Sequence, residues 1–205
     1  MLKKKKLIIF DLDGVLIDSI LNMKFALKMT SMSLNIRLDF KLYKKYLGLP
    51  FEKIMNKLGI KQNIERIKSK YSFFSTKNIS KIKINKKNLL HLKNLNKDYD
   101  LAVFTSKDRA RTNIILRRYK IFKYIITSDD VKKGKPHPEG VLKILRKNKS
   151  KKKDSIYIGD SIYDYKAAKN SKISYLHAKW GYEKNLKKKY KINEISNFLM
   201  IKKYF

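Results

Sequence analysis

Asp11 and Asp13 stand two positions apart at the end of a short apolar run, Leu7 to Phe10, and Gly14 follows at once. The run reads as a buried strand, with lysines before it and acids after it. Because a strand alternates its side chains, that spacing can aim both carboxylates the same way from the strand's C-terminal end. Open parallel sheets bind ligands at that end, and Gly14 lets the backbone leave the strand in a conformation other residues resist. Two carboxylates this close repel unless a cation lies between them or one takes a proton. Mg2+ suits such a pair because it prefers hard oxygen ligands. A plain acidic turn would carry the same residues, and this stretch alone leaves both readings open.

Groups of related chemistry recur where other strands should end. Leu101 to Phe104 is a second apolar run and leads into Thr105 and Ser106. The loop Lys132 to Pro138 contains Lys135-Pro136. Ser155 to Ile158 leads into Gly159-Asp160, with Asp164 four positions further on. Hydroxyls, an ammonium and more carboxylates are the groups that handle a phosphate ester. One acid at one strand end is commonplace, but a set of this chemistry at successive strand ends is not.

The elements that must position these groups are legible in the apolar spacing. Between Ser19 and Lys83, Met23, Leu27 and Thr30 recur at helical spacing. So do Leu42, Tyr46 and Leu49, then Phe51, Ile54, Met55 and Leu58, and last Ile64, Ile67, Tyr71 and Phe74. With little β character there, the segment predicts a small helical unit. Strand then alternates with helix. Helices are expected at Asn88–Leu95, at Asp108–Tyr119, at Glu139–Arg146 behind Pro138, and around Ala167 and Ala168. Strands are expected at Tyr124–Ile126 and Ile173–Leu176, and a final helix through Ile192, Ile195, Phe198 and Leu199. This order predicts an α/β fold: a three-layer, Rossmann-like sandwich with a mainly parallel five-stranded sheet and right-handed crossovers. Its core would comprise 1–17 and 85–205. The helical unit, 18–84, would be inserted after strand one and sit over Asp11 and Asp13.

Composition narrows the function classes. The chain of 205 residues has no cysteine, which excludes disulfides and thiolate metal sites. The opening apolar run is too short for a signal peptide or a membrane span, so a cytoplasmic protein without a membrane partner is expected. The net charge of +34 comes from lysines spread through every segment, with no motif interleaving them with aromatics. That pattern is a bias across the chain, and no specific nucleic acid partner is expected from it. A diffuse positive field does attract anionic phosphate esters. None of His91, His137 and His177 has a partner at metal-ligand spacing.

The four strand-end motifs, in this order, resemble those of the haloacid dehalogenase-like superfamily of Mg2+-dependent phosphohydrolases. They are Asp11-Leu12-Asp13-Gly14-Val15, Thr105, Lys135-Pro136, and Gly159-Asp160-Ser161 with Asp164. The resemblance covers nearly the whole chain and is nearest to the phosphoglycolate phosphatase-like group, whose small helical cap the segment 18–84 resembles. Trp180-Gly181-Tyr182 resembles a stretch in some of those relatives and would wall the site. The resemblance implies Asp11 as nucleophile and Asp13 as general acid and base. It implies Mg2+ held by Asp11, Asp160 and the backbone of Asp13, with Asp164 ligating or orienting. Lys135 would offset charge, and Thr105 would bind the phosphoryl group with the N–H groups of Leu12 and Ser106. Cap positions near Lys45, Gly48 and Lys53 would choose the substrate, a small phosphorylated metabolite such as a sugar phosphate or phosphoglycolate. A phosphosugar mutase is the enzymatic alternative, disfavoured because Ile20 to Lys24 holds no histidine. A dehalogenase is disfavoured by Asp13. A catalytically silent basic binding protein is the alternative from another class. Both a monomer and a homodimer fit.

Overall fold

The computed structural model describes residues 5–84, 86–117 and 119–205, without the side chains of 86–89. The basic start at 1–4, the expected core boundary at residue 85 and residue 118 of the expected 108–119 helix lie outside the described residues.

The first strand, β1 (Lys6–Phe10), is followed by a two-residue strand β2 (Ile17–Asp18) and four helices: α1 (Ile20–Leu34), α2 (Phe40–Lys44), α3 (Phe51–Lys57) and α4 (Ile64–Lys77). A second two-residue strand, β3 (Lys83–Ile84), then pairs antiparallel with β2. The rest alternates: α5 (Lys86–Asp98), β4 (Tyr99–Phe104), α6 (Arg109–Leu116), β5 (Tyr124–Ile126), α7 (Glu139–Asn148), β6 (Ser155–Gly159), α8 (Ile162–Ser171) and β7 (Ser174–Ala178). It closes with α9 (Leu186–Lys189), β8 (Asn193–Ile195) and a 3-10 turn at Phe198–Tyr204.

The main sheet has six strands in the order β5-β4-β1-β6-β7-β8, and every pairing is parallel. Five strands were expected. The sixth, β8, occupies the stretch read as a final helix. Ile192, Ile195 and Phe198 are spaced as a helix would space them, but Leu176, His177 and Ala178 of β7 offer an open edge, and Asn193–Ile195 pair with it.

Alternation along β1 sets the three layers. Ile8 and Phe10 pack on one face with Leu92, Leu95, Ile115 and Phe198. Leu7 and Ile9 pack on the other with Val141, Ile144, Ala167 and Ala168. The helices between β2 and β3 have an apolar core of their own, built from Leu27, Tyr43, Phe51, Ile54, Met55, Ile67 and Tyr71. A ribbon of two residues per strand thus carries the chain into this helical unit and out of it. Because β1 lies between β4 and β6, the chain leaves the centre of the sheet in both directions from β1. Such a switch point opens a crevice at the strands' C-terminal ends.

Candidate active site

Three neighbouring strands deliver the principal groups. Asp11 follows β1, Thr105 follows β4 and Asp160 follows β6, so the strand order alone places them side by side. The Asp11 N–H donates to the Ile158 carbonyl at 2.8 Å and the Thr105 N–H to Ile126 at 3.0 Å, extending the sheet by one residue under each group. Above them lies a cavity of about 280 Å³, roofed by Tyr43, Lys45, Gly48, Phe51, Ile54 and Tyr71 of the helical unit.

Lys135 arrives from the loop before α7. Its side chain is wholly buried, with Nζ 2.5 Å from Asp11 Oδ1 and 2.8 Å from Asp164 Oδ1. Asp164 is fully engaged. Its Oδ1 also accepts the Tyr157 hydroxyl at 2.9 Å, and its Oδ2 accepts the Asp160 N–H, the Ser161 N–H and the Ser161 hydroxyl. Ser161 and Asp164 cap α8 reciprocally, which fixes the Asp160 turn. Asp160 Oδ2 accepts the Tyr182 N–H at 2.6 Å. An added Cβ at Gly14 would lie 2.1 Å from Asp160 Oδ2, and one at Gly181 2.1 Å from the Asp160 Cβ. The Asp160 carboxylate is therefore wedged between two glycines.

Burial pushes Asp11 up to about 7, helped by the charges of Asp164 and Asp13 and opposed by Lys135. Asp160 is driven well above the carboxylate range by burial and by the charges of Asp164 and Asp11. Burial would raise Asp164 too, but the Lys135 charge and its hydrogen bonds hold it below. Two buried carboxylates pushed toward the neutral form beside a third that stays ionised form a site short of positive charge. Asp11, Asp160 and Asp164 offer oxygens within 4.8 Å of one another. Among the described residues Asp11 Oδ2 and Asp160 Oδ1 have no partner, whereas both Asp164 oxygens are taken. The donor set fits a hard divalent cation held by Asp11 and Asp160, with Asp164 orienting from behind.

Asp13 stands apart from that cluster. Its Oδ1 lies 3.1 Å from Lys107 Nζ and accepts the Ser19 hydroxyl. Thr105 is buried against the cavity, its Oγ1 accepting the Lys107 N–H at 3.1 Å. The Ser106 hydroxyl points elsewhere, donating to the Gly48 carbonyl of the helical unit at 2.7 Å. Lys45 and Gly48 line the cavity. Lys53 does not: it borders a separate cavity with Glu52, Lys68 and Lys132, because α3 turns it away from the carboxylates. The Leu12 side chain is buried in the apolar core.

Sequence reasoning missed Lys107, Arg111, Tyr43, Tyr71, Tyr157 and Ser19. Lys107 and Arg111 lie two and six positions after Thr105, where one lysine or arginine among 51 carries no signal. Arg111 is buried. Its Nε lies 2.7 Å from Asp108 Oδ2, and its guanidinium lies 5.1 Å from the centre of the Tyr71 ring.

A family model described as haloacid dehalogenase-like hydrolase matches residues 8–178. The chain belongs to that family. As a member it is an enzyme of the hydrolase class. Pyrophosphatase PpaX of Oceanobacillus iheyensis is 25% identical over 207 residues, covering 95% of each chain. Its counterpart from Anoxybacillus flavithermus is 36% identical over 78 residues, so the chain spans only 36% of that protein's length. Among solved structures, a predicted phosphoglycolate phosphatase from Haemophilus somnus superposes with a TM-score of 0.80 at 21% identity, covering 99% of both chains. That likeness shows the fold. No helix among the described residues is long and apolar enough to cross a membrane.

Proposed function

We propose that this hydrolase is a Mg2+-dependent phosphatase of small phosphorylated metabolites, working through an aspartyl-phosphate on Asp11, with residues 18–84 serving as its cap. The observation that carries the reading is the pair of buried carboxylates, Asp11 and Asp160, at the floor of one cavity, each with an oxygen that has no partner among the described residues. Mg2+ held by Asp11 and Asp160 would neutralise charge between an anionic nucleophile and an anionic phosphoryl group. In the first step an Asp11 oxygen forms a bond to phosphorus, the bond from phosphorus to the leaving oxygen breaks, and that oxygen takes a proton from Asp13. In the second, a water oxygen bonds to phosphorus and passes a proton to Asp13. The bond to Asp11 breaks, and phosphate leaves. Lys135 offsets the charge on Asp11, and the Thr105 hydroxyl would donate to the phosphoryl group.

A narrower substrate class is favoured by the rest of the cavity lining. It includes Lys44, Lys45, Lys107 and Arg111, together with Tyr43 and Tyr71. Burial raises both phenols, keeping them protonated donors. A wall of donors suits a leaving group that is itself anionic, such as the second phosphate of pyrophosphate or the carboxylate of phosphoglycolate. It suits an uncharged sugar less well. The names of the bacterial relatives agree with that preference.

Phosphate release would be measured from p-nitrophenyl phosphate, pyrophosphate, phosphoglycolate and hexose phosphates, with and without Mg2+, in wild type and Asp11→Asn. Mg2+-dependent turnover abolished in Asp11→Asn is expected, with the anionic leaving groups ahead. Turnover that survives in Asp11→Asn would overturn the nucleophile. A product that retains its phosphate at a new position would establish the mutase. Silence on every substrate, together with salt-sensitive nucleic acid binding, would establish the binding role.

A further inference from the structure

We propose that Tyr182 is a positioning residue for Asp13, acting through Ser19 at the entrance to the helical unit; this rests on the acid–base reading of Asp13. The Tyr182 hydroxyl accepts the Ser19 N–H at 2.8 Å and lies 3.3 Å from Ser19 Oγ and 3.4 Å from Asp18 Oδ1. Ser19 is completely buried, and its own hydroxyl donates to Asp13 Oδ1. Lys107 Nζ reaches the same oxygen. Asp13 Oδ1 is thus held from two sides, and among the described residues Oδ2 has no partner and is left to face the substrate.

The direction of the relay follows from donor counting. A serine hydroxyl has one proton, and here it goes to the Asp13 carboxylate. Ser19 Oγ and the Ser19 N–H must then be satisfied by something else, and the Tyr182 phenol is the group within reach of both. The phenol has one hydrogen to give, and Ser19 Oγ at 3.3 Å and Asp18 Oδ1 at 3.4 Å are the acceptors within its reach. The loop carrying Tyr182 is itself pinned. The Trp180 Nε1–H donates to the Val15 carbonyl at 3.0 Å, Glu183 accepts the Ile162 N–H at 2.9 Å, and the Tyr182 N–H holds Asp160. One residue therefore touches the cation site through its backbone and the proton-transfer site through its side chain. Ser19 also lies between β2 and the start of α1, so any swing of the helical unit about the β2–β3 ribbon passes through this contact.

The test is Tyr182→Phe, which removes the hydroxyl and keeps the backbone N–H on Asp160. The readout is kcat/KM on two substrates, because that ratio reports the transfer to Asp11, in which Asp13 acts as acid. Phosphoglycolate expels an alkoxide that needs the proton, whereas p-nitrophenyl phosphate expels a stable anion that needs it little. The loss on phosphoglycolate is expected to exceed the loss on p-nitrophenyl phosphate by roughly 10- to 100-fold. Ser19→Ala should show the same asymmetry, and the double variant should be no worse than the worse single one, since both break one chain of contacts. Equal losses on the two substrates, no loss on either, or additive effects in the double variant would each overturn the proposal while leaving the phosphatase intact. A wild type inactive on these two substrates and on pyrophosphate would overturn the phosphatase reading itself and the proposal with it.

Discussion

Lys135 Nζ lies 2.5 Å from Asp11 Oδ1, and the two side chains are 0% and 5% exposed. An ion pair this deep is held together less by what it adds to stability than by what its loss would leave behind. The ammonium is also 2.8 Å from Asp164, so one cation serves two buried acids. It is held above the ordinary lysine range against the pull of burial.

Replacing Lys135 by Met keeps the length of the side chain and removes the charge. Asp11 and Asp164 would then face each other without the cation that now lies between them. Breaking a buried pair in this way costs about 3–5 kcal/mol. A lowered urea midpoint in chelator is expected, together with loss of phosphatase activity. A variant as stable as wild type would mean that the two acids do not depend on Lys135.

The raised Asp11 predicts an unusual pH dependence for the metal-free protein. Its folded value of about 7 lies above the ordinary carboxylate value of 3.8, so the native state binds more protons than the unfolded state between those limits. The contribution of Asp11 to stability must then fall as pH rises from about 4 to about 7, by at most about 1.4 kcal/mol per unit. His177 works the other way, since burial lowers it and a neutral imidazole is favoured as pH rises. Comparing wild type with Asp11→Asn removes the histidine from the difference. In chelator, the variant should gain on wild type between pH 5 and pH 7.5. Mg2+ should stabilise wild type more at pH 7.5, where it need not displace protons. Equal stabilisation by Mg2+ at both pH values would sink this account of Asp11.

How far the site was legible depended on how its residues are ordered in the chain. Asp11, Thr105 and Asp160 stand at the ends of apolar runs, and adjacent parallel strands must present such ends together. Their grouping could therefore be read from the pattern alone. Tyr182 and Ser19 are 163 positions apart and meet only because the loop after β7 folds back over the first turn, which no local pattern encodes. The β2–β3 ribbon is two residues long on each side, too short for alternation to register. The sixth strand was hidden because a three-residue edge strand is stabilised by its neighbour more than by its own apolar pattern.

Gly14 and Gly181 should control the cation site. Alanine at either would push into Asp160, and at Gly14 it would also have to adopt a φ of +87°. Displacing a carboxylate ligand or its support typically lowers metal affinity about 10–100-fold. The Mg2+ concentration for half-maximal activity is expected to rise by that factor in Gly181→Ala. Gly59 is the control: its φ is +84° but nothing lies within 4 Å of an added Cβ. Gly59→Ala should lower stability by about 1–2 kcal/mol through backbone strain and leave the Mg2+ requirement where it was.

Arg111, on α6, ties the helical unit to the sheet-bearing part of the chain. Its Nε–H and N–H hold Asp108, its NH1 reaches the Ser75 hydroxyl at 3.1 Å, and Ser75 in turn donates to Asn22 at 2.6 Å. Ser72 donates to the same Asp108 carboxylate at 3.1 Å. Burial would raise Asp108, but Arg111 holds it below the ordinary value. Lysine at position 111 keeps the charge but cannot present the fork that reaches Asp108 and Ser75 together. Arg111→Lys should therefore loosen the docking of α4 on α6 while the Asp11–Lys135–Asp160 cluster stays intact. Faster limited proteolysis within 18–84 is expected, with a KM for pyrophosphate raised roughly tenfold, the effect of losing about 1.4 kcal/mol of binding. A kcat that falls with KM unchanged would place Arg111 in the chemistry of the reaction and remove it from the docking of the helical unit.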